Sequence, residues 1–138
     1  MATLDDADYQ RLLEFRDGLR RFLRWSEEQA AEADLTPAQH QLLLAVRGHP
    51  GPQAPRVSDV AEHLQLRRHS VVGLINRAEA AGLLTRTSDP DDQRLARLSL
   101  TRLGARRLEQ LSALHIEELR RMAPSLIPLW DGLDVDQR

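Results

Sequence analysis

The hydrophobic period of this chain switches from helical to alternating and back, and that switch confines what the chain can fold into. Across residues 57–81 apolar positions recur at helical gaps. Val57, Val60, Ala61 and Leu64 mark a short helix, Gln65-Leu66-Arg67 a tight turn, and residues 68–81 a second helix with Val71, Leu74, Ile75 and Ala78 inward. Gly82 follows as a C-cap, where the left-handed backbone conformation costs glycine nothing. Residues 83–87 and 94–100 then read as strands, with Leu98 and Leu100 on one face by alternation. Between them, Ser88-Asp89-Pro90-Asp91-Asp92-Gln93 is turn chemistry, so the pair is a hairpin with an exposed tip.

Helical patterns flank this core. Residues 7–33 contain no Pro and one Gly, with apolar residues at Tyr9, Leu12, Leu13, Phe15, Leu19, Phe22 and Leu23. The spacing predicts an amphipathic helix of roughly seven turns. In a chain of 138 residues, a helix that long needs a packing partner, and a second subunit is the candidate. Thr36-Pro37 opens the next helix with a favoured cap and a proline tolerated in the first turn. Leu42, Leu43 and Val46 form its buried face and Gly48 ends it. Residues 49–56 hold three Pro and one Gly and read as a loop, after which Ser58 is the cap of the short helix. Thr101 caps a last helix to about Met122, with Leu108, Leu111, His115 and Leu119 on its periodic face. Pro124 and Pro128 interrupt the tail, Ser125 to Trp130 add one or two turns, and residues 134–138 fray.

The composition is that of a globular chain, 41% hydrophobic and 29% charged. No run approaches the ~18 apolar residues of a membrane span. The acidic start lacks the pattern of a secretion signal, so the expected compartment is the cytoplasm. Cysteine is absent, which removes disulfides, thiolate metal sites and a cysteine nucleophile. The histidines at 40, 49, 63, 69 and 115 form no i, i+4 pair and no cluster with carboxylates; His40 and His115 could meet only through folding. No metal or cofactor is expected. No Ser-His-Asp set or phosphate-cradling Gly loop is present, and the pairs Glu27-Glu28 and Glu117-Glu118 splay on their helices, so the chain does not read as an enzyme. Net charge is only −2, but its distribution is uneven. Residues 1–55 carry 6 Arg against 9 acids, 56–107 carry 10 Arg against 6, and 108–138 carry 3 against 6. A basic middle between acidic ends points to a polyanion contact in the middle.

Short helix, turn, helix and hairpin, in that order, make a winged helix-turn-helix. The first helix props the second so that it can enter a DNA major groove, and a polar hairpin tip reaches the neighbouring minor groove or phosphates. The stretches LTPAQHQLLLAV (35–46), VSDVAEHLQL (57–66), RRHSVVGLINRAEAAGLLTR (67–86), DPDDQR (89–94) and LSLTRLG (98–104) resemble the MarR family of bacterial transcription regulators in order and spacing. The resemblance implies a mostly α fold with a small β-hairpin wing, a winged helix-turn-helix domain plus long terminal dimerisation helices. It divides the single regulator chain 1–138 into dimerisation helices at 7–33 and 102–131 and a DNA-binding lobe at 36–101, with recognition helix 68–81 and wing 83–100.

Carried over position by position, Arg68, His69, Ser70, Gly73 and Arg77 match outward positions of the recognition helix. Arg67 and Arg68 open that helix against its macrodipole, which helix stability alone does not explain. Arg77 either meets phosphate or holds Asp92. Asp92 matches the family's wing-stabilising acid and Arg94 the wing residue that reaches DNA. Arg97, Arg86, Arg102, Arg106 and Arg107 are further candidates for phosphate or simply for solvent. Gln93 stands where the family often has Arg, and Asp91 adds a negative charge, so the wing attracts phosphate less. The C-terminal segment is short for the family. The resemblance implies double-stranded DNA as partner, a homodimer, and a small aromatic or anionic effector; Trp25, Arg16, His40 and Tyr9 could line its site or simply pack. The expected function is a homodimeric, sequence-specific regulator, a repressor released by a small ligand, reading a pseudo-palindromic operator. The acidic wing tip and the net charge leave a second reading, a winged-helix module for protein–protein contacts with little DNA binding.

Overall fold

The computed structural model describes residues 3–131. In chain order they form α1 (Asp6–Glu32), α2 (Pro37–Arg47), α3 (Val57–Leu64), α4 (Arg68–Ala80), β1 (Leu84–Ser88), β2 (Ala96–Leu100) and α5 (Arg102–Asp131). The strands pair antiparallel, Leu84 opposite Leu100 and Ser88 opposite Ala96. This is the expected mostly helical fold with a hairpin wing. The second strand begins two residues later than the alternation suggests, because residues 89–95 are spent on the turn. Among the described residues no helix is long and apolar enough to cross a membrane.

Local chemistry explains most of the helix starts. The Asp5 carboxylate accepts the Asp8 N–H at 2.9 Å while the Asp5 N–H donates to the Asp8 carboxylate at 3.0 Å, closing a capping box before α1. Thr36 and Gln39 close a similar box at α2, with Pro37 in its first turn. At α3 the expectation fails by a residue or two: the cap is Arg56, not Ser58, and the Arg56 N–H donates to Asp59 Oδ2 at 2.8 Å. The backbone of Arg56 is bridged to Arg97 of β2, and that long-range pairing fixes the point where the helix can begin. Gln65 makes the α3–α4 turn with a φ of 54°, and Gly82 leaves α4 with a φ of 75°.

Each element contributes to one core. Leu42 and Leu43 of α2, Val60 of α3, Val71 and Ile75 of α4, Leu84 and Leu98 of the hairpin, and Leu111 of α5 are at most 1% exposed. Truncating any of the leucines to Ala costs roughly 2–5 kcal/mol at such sites. The long helices differ. Tyr9, Leu12, Leu13, Leu19 and Leu23 of α1 and Leu114, Ile116, Leu119 and Ile127 of α5 remain 42–59% exposed.

The last helix departs from expectation. It continues to Asp131 through Pro124 and Pro128 rather than weakening after Met122. A proline inside a helix removes one hydrogen bond and crowds the carbonyl four residues back. Here Arg120, Pro124 and Pro128 are all exposed, so water can take the freed carbonyls of Arg120 and Pro124. Met122, Leu126 and Leu129 keep the opposite face half-buried, and Leu126 approaches Gly18 of α1. Residues 134–138 of the expected frayed end lie outside the described residues.

The start of α5 is clamped to the chain entering β1. The Thr101 N–H donates to the Leu83 carbonyl at 3.0 Å, the Thr101 hydroxyl donates to the Gly82 carbonyl at 2.6 Å, and the same hydroxyl accepts the Gly104 N–H at 3.0 Å. Gly104 lies so close that a Cβ there would meet the Leu83 carbonyl oxygen at 2.0 Å. Gly104→Ala is therefore expected to destabilise by about 1–3 kcal/mol or more, since backbone must shift. Gly18→Ala, whose Cβ would meet only the Leu126 side chain at 3.5 Å, should be tolerated. Urea denaturation of the two variants checks the contrast, and equal midpoints would contradict it.

Candidate nucleic-acid interface

The α4 helix buries Val71, Ile75 and Ala78 and leaves a polar face outward. Its start is basic and uncompensated. Arg67, Arg68, His69 and Ser70 are exposed, no acid stands in the first turn, and neither arginine forms an ion pair with a described residue. Further along, His69, Gly73 and Asn76 fall on one outward stripe at gaps of four and three. Gly73 is half-buried because the exposed Arg77 folds over it, its Nη1 3.5 Å from where a Cβ would sit. Among the described residues Arg77 forms no ion pair with Asp92, whose arginine partner is Arg94. Arg86 of β1 reaches α4 instead, donating to Asn76 Oδ1 and, at 3.2 Å, to Glu79 Oε1. Sequence reasoning passed over Asn76; its place on the stripe with His69 and Gly73 was the available signal.

The wing is organised by an acid that the sequence offered only as part of a turn. Asp89 is 1% exposed. It accepts Arg97 Nε at 2.7 Å, Arg56 Nη2 at 3.5 Å, and the backbone N–H groups of Asp91 at 2.8 Å and Asp92 at 3.2 Å. Arg97 goes on to the Ala54 carbonyl and Gln53 Oε1, both at 2.6 Å, which ties the hairpin to the proline-rich loop. The Asp91 N–H above all, helped by Arg97 and the Asp92 N–H and opposed by burial, holds the Asp89 carboxyl below its ordinary value of 3.8. Asp92 takes Arg94 at 3.1 Å, a pair within the tip, and the Arg94 side chain is 89% exposed. Two wing acids are thus held by arginine, Asp89 where β1 runs into the turn and Asp92 further out at the tip, and only Arg94 of the wing arginines named above stands clear of the surface.

The four residues considered for an effector divide. Trp25 and His40 pack inward around His115, each ring centroid 4.8 Å from that of His115, whereas Tyr9 and Arg16 face outward. His40 and His115 therefore do meet through folding, though no group of three metal-capable side chains occurs among the described residues. Burial, then the neighbouring His115, lowers the His40 pKa below its ordinary 6.5. His115 Nδ1 faces the Leu111 carbonyl at 2.7 Å and must carry the proton, so in the neutral ring Nε2 accepts from the Ser26 hydroxyl at 2.7 Å. Beside this stack, α1 and α5 enclose a cleft of about 560 Å³ lined by Arg21, Phe22, Trp25 and Arg121 among others.

Known proteins resemble the chain over the same elements. The family model described as MarR family matches residues 33–95, from the end of α1 to the turn of the hairpin. The HTH-type transcriptional repressor MdtR of Bacillus subtilis is 30% identical over 86 residues, 62% of this chain and 54% of that protein. The match thus spans about half of the relative's length. Among solved structures, AbsC, a MarR family transcriptional regulator from Streptomyces coelicolor, superposes with a TM-score of 0.73 at 21% identity, covering 91% of this chain and 84% of AbsC. The MepR–DNA complex of S. aureus superposes with a TM-score of 0.68 at 21% identity, covering 81% of this chain and 80% of MepR. At that identity the two structures establish the winged-helix fold.

The Asp89 network carries a pH dependence whose sign follows from its lowered pKa. A depressed carboxylate contributes stability fully above its unfolded value and loses it as the pH falls through the lower folded value. Amide exchange in β1 and β2 should stay slow down to the ordinary carboxylate range and rise only below it. In Asp89→Asn the strand amides should already exchange faster at neutral pH, and their acid step should be gone. An unchanged acid step in the variant would assign it to another group.

Proposed function

We propose, from the match of the MarR family model to residues 33–95, that the chain is a homodimeric, sequence-specific DNA-binding transcription regulator of the cytoplasm, a repressor released by a small ligand. The observation that carries the reading is the start of α4, where Arg67 and Arg68, exposed and without an ion pair among the described residues, stand beside His69 and Ser70 on a helix whose other face is locked into the core. In this reading residues 36–101 form the DNA-binding lobe, α4 lies in the major groove, and Arg94 reaches the backbone from the wing. Arg67, Arg68, His69, Ser70, Gly73 and Arg77 face DNA, and Asp92 steadies the tip. Arginine suits both tasks, because its planar fork matches phosphate and the guanine edge.

The apolar residues left bare on α1 and α5 support dimerisation through those helices, since a second copy would remove them from water. Two recognition helices about 34 Å apart would then read a pseudo-palindrome with half-sites one DNA turn apart. The rings of Phe22 and Trp25 in the cleft between α1 and α5 support an aromatic effector, while its Arg21 and Arg121 stand among Glu14, Asp17 and Glu118, with Arg121 paired to Glu118, and add little for an anion. MdtR is named a repressor, which supports the same sign of control here. The reading is of a regulator and not of a catalyst.

Fluorescence anisotropy of the full chain against a palindromic duplex from its own promoter region tests the proposal. Affinity should exceed that for random duplex and fall with salt at about 0.9 log units per log unit of salt for each phosphate neutralised. Arg68→Ala combined with Arg94→Ala should weaken binding by about tenfold or more. Affinity equal to that for random duplex, or unaffected by the double variant, would favour a protein-contact module instead. Light scattering should give twice the chain mass, with Leu12→Glu and Leu23→Glu together shifting it towards one.

A further inference from the structure

His49 and His63 lie 14 residues apart in the chain, and their spacing predicts no metal site. Folding sets their rings against each other. His49 Nδ1 faces His63 Nε2 at 2.9 Å, with the ring centroids 5.2 Å apart. His49 directly follows Gly48, the C-cap of α2, and His63 belongs to the last turn of α3. Two helix C-termini, each the negative end of its macrodipole, therefore meet at this pair and favour positive charge there. Asp59, one turn before His63 on α3, stands with Oδ2 3.8 Å from His49 Nε2. Arg56 and Arg97, which line a pocket together with His49, turn their guanidinium groups to Asp89 rather than to the histidines.

The placement of protons suits a cation. The Asp59 carboxylate favours the His49 proton on Nε2, which leaves Nδ1 with its lone pair. His63 Nε2 then carries the hydrogen of the present contact. Moving that hydrogen to His63 Nδ1, the other nitrogen of an exposed ring, gives two neutral imidazoles whose lone pairs converge, with no net proton released. Two imidazoles on one tetrahedral zinc, with bonds of about 2.0–2.1 Å, hold their nitrogens about 3.3 Å apart, so the rings need to part by only about 0.4 Å. A carboxylate behind a ligating histidine fixes its tautomer and raises its basicity. We propose that His49 Nδ1 and His63 Nε2 form an open surface site for a late first-row divalent cation such as zinc, with Asp59 as the positioning residue. Imidazole donors favour that class over magnesium or calcium. Among the described residues no group of three metal-capable side chains forms, so water fills the remaining positions. The metal would link the end of α2 to the end of α3, the helix that props α4, across the proline-rich loop between them. The site holds or fails independently of the DNA-binding reading.

Zinc chloride titrated into the full, untagged chain in a calorimeter tests it. One zinc should bind per chain. The melting temperature should rise by about 5 °C or more once free zinc stands at about 100 times its dissociation constant. His49→Gln and His63→Gln should each weaken zinc binding by about tenfold or more, and Asp59→Asn, which keeps an oxygen for the Arg56 N–H, by about tenfold. Histidine ring-nitrogen NMR of the unmodified chain should place zinc on Nδ1 of His49 and Nε2 of His63. No bound zinc overturns the site. Zinc bound equally by both histidine variants also overturns it and assigns the metal to adventitious surface histidine. Zinc on His49 Nε2 overturns the roles of the two nitrogens and of Asp59, and unchanged affinity in Asp59→Asn overturns the positioning role. Zinc-free melts separate a lost ligand from a lost fold, and the NMR spectra decide the site even where a substitution costs the fold.

Discussion

The rest of the structure hangs on the crossing of α5 over the chain at Leu83. Thr101 bonds to the Gly82 and Leu83 carbonyls, and Gly104 lets the helix backbone rest almost on the Leu83 oxygen. That contact fixes the direction in which thirty residues of helix leave the hairpin. The first turns of α5 then carry Leu108 and Leu111 into the core, and the next turn brings His115 against Ser26 and Trp25 of α1. One close approach therefore sets how the lobe bearing α3, α4 and the hairpin sits on the two long helices. Only a residue without a Cβ can occupy it.

Charge is used differently on the two parts of the basic region. In the hairpin, Asp89 binds Arg97 and Arg56, and Asp92 binds Arg94. At the start of α4 no acid among the described residues answers Arg67 or Arg68. Pairs as exposed as Arg94 with Asp92 add little to stability and can exchange partners, whereas the Asp89 cluster is buried and holds shape. The hairpin is thus a rigid frame with one movable cation at its tip, and the free positive field belongs to the helix. A chain with net charge −2 can then still present a local cationic face.

What could be read from the sequence was what local chemistry decides. Thr36-Pro37, Gly82 and Thr101 each mark an element boundary through their own side chains or lack of them, and the structure places boundaries there. The change of period located the hairpin. What escaped depends on partners far along the chain. Ser58 is the better cap by residue type, but the pairing of Arg56 with Arg97 decides where α3 begins. Three aspartates crowd the hairpin turn, and nothing in their order says that Asp89 is the one turned inward; that choice is made by Arg97 and by two backbone N–H groups. The meeting of His40 with His115 and the hold of Arg86 on Asn76 are likewise products of folding. The prolines misled for another reason. Their cost is real, but it falls on a hydrated side of the helix while Leu126 and Leu129 keep the other side packed.

Those prolines leave a mechanical signature at the far end of α5. Two rungs of the hydrogen-bond ladder, those that would have ended on the Arg120 and Pro124 carbonyls, are missing by construction and lie along the same exposed side. Tilting the last turns away from that side breaks no bond there, while tilting the other way must crowd two pyrrolidine rings against the preceding turn. The helix end is compliant in one direction and stiff in the other. A segment of that kind can adjust its angle to whatever rests against Leu126 and Leu129 without unwinding the turns below it.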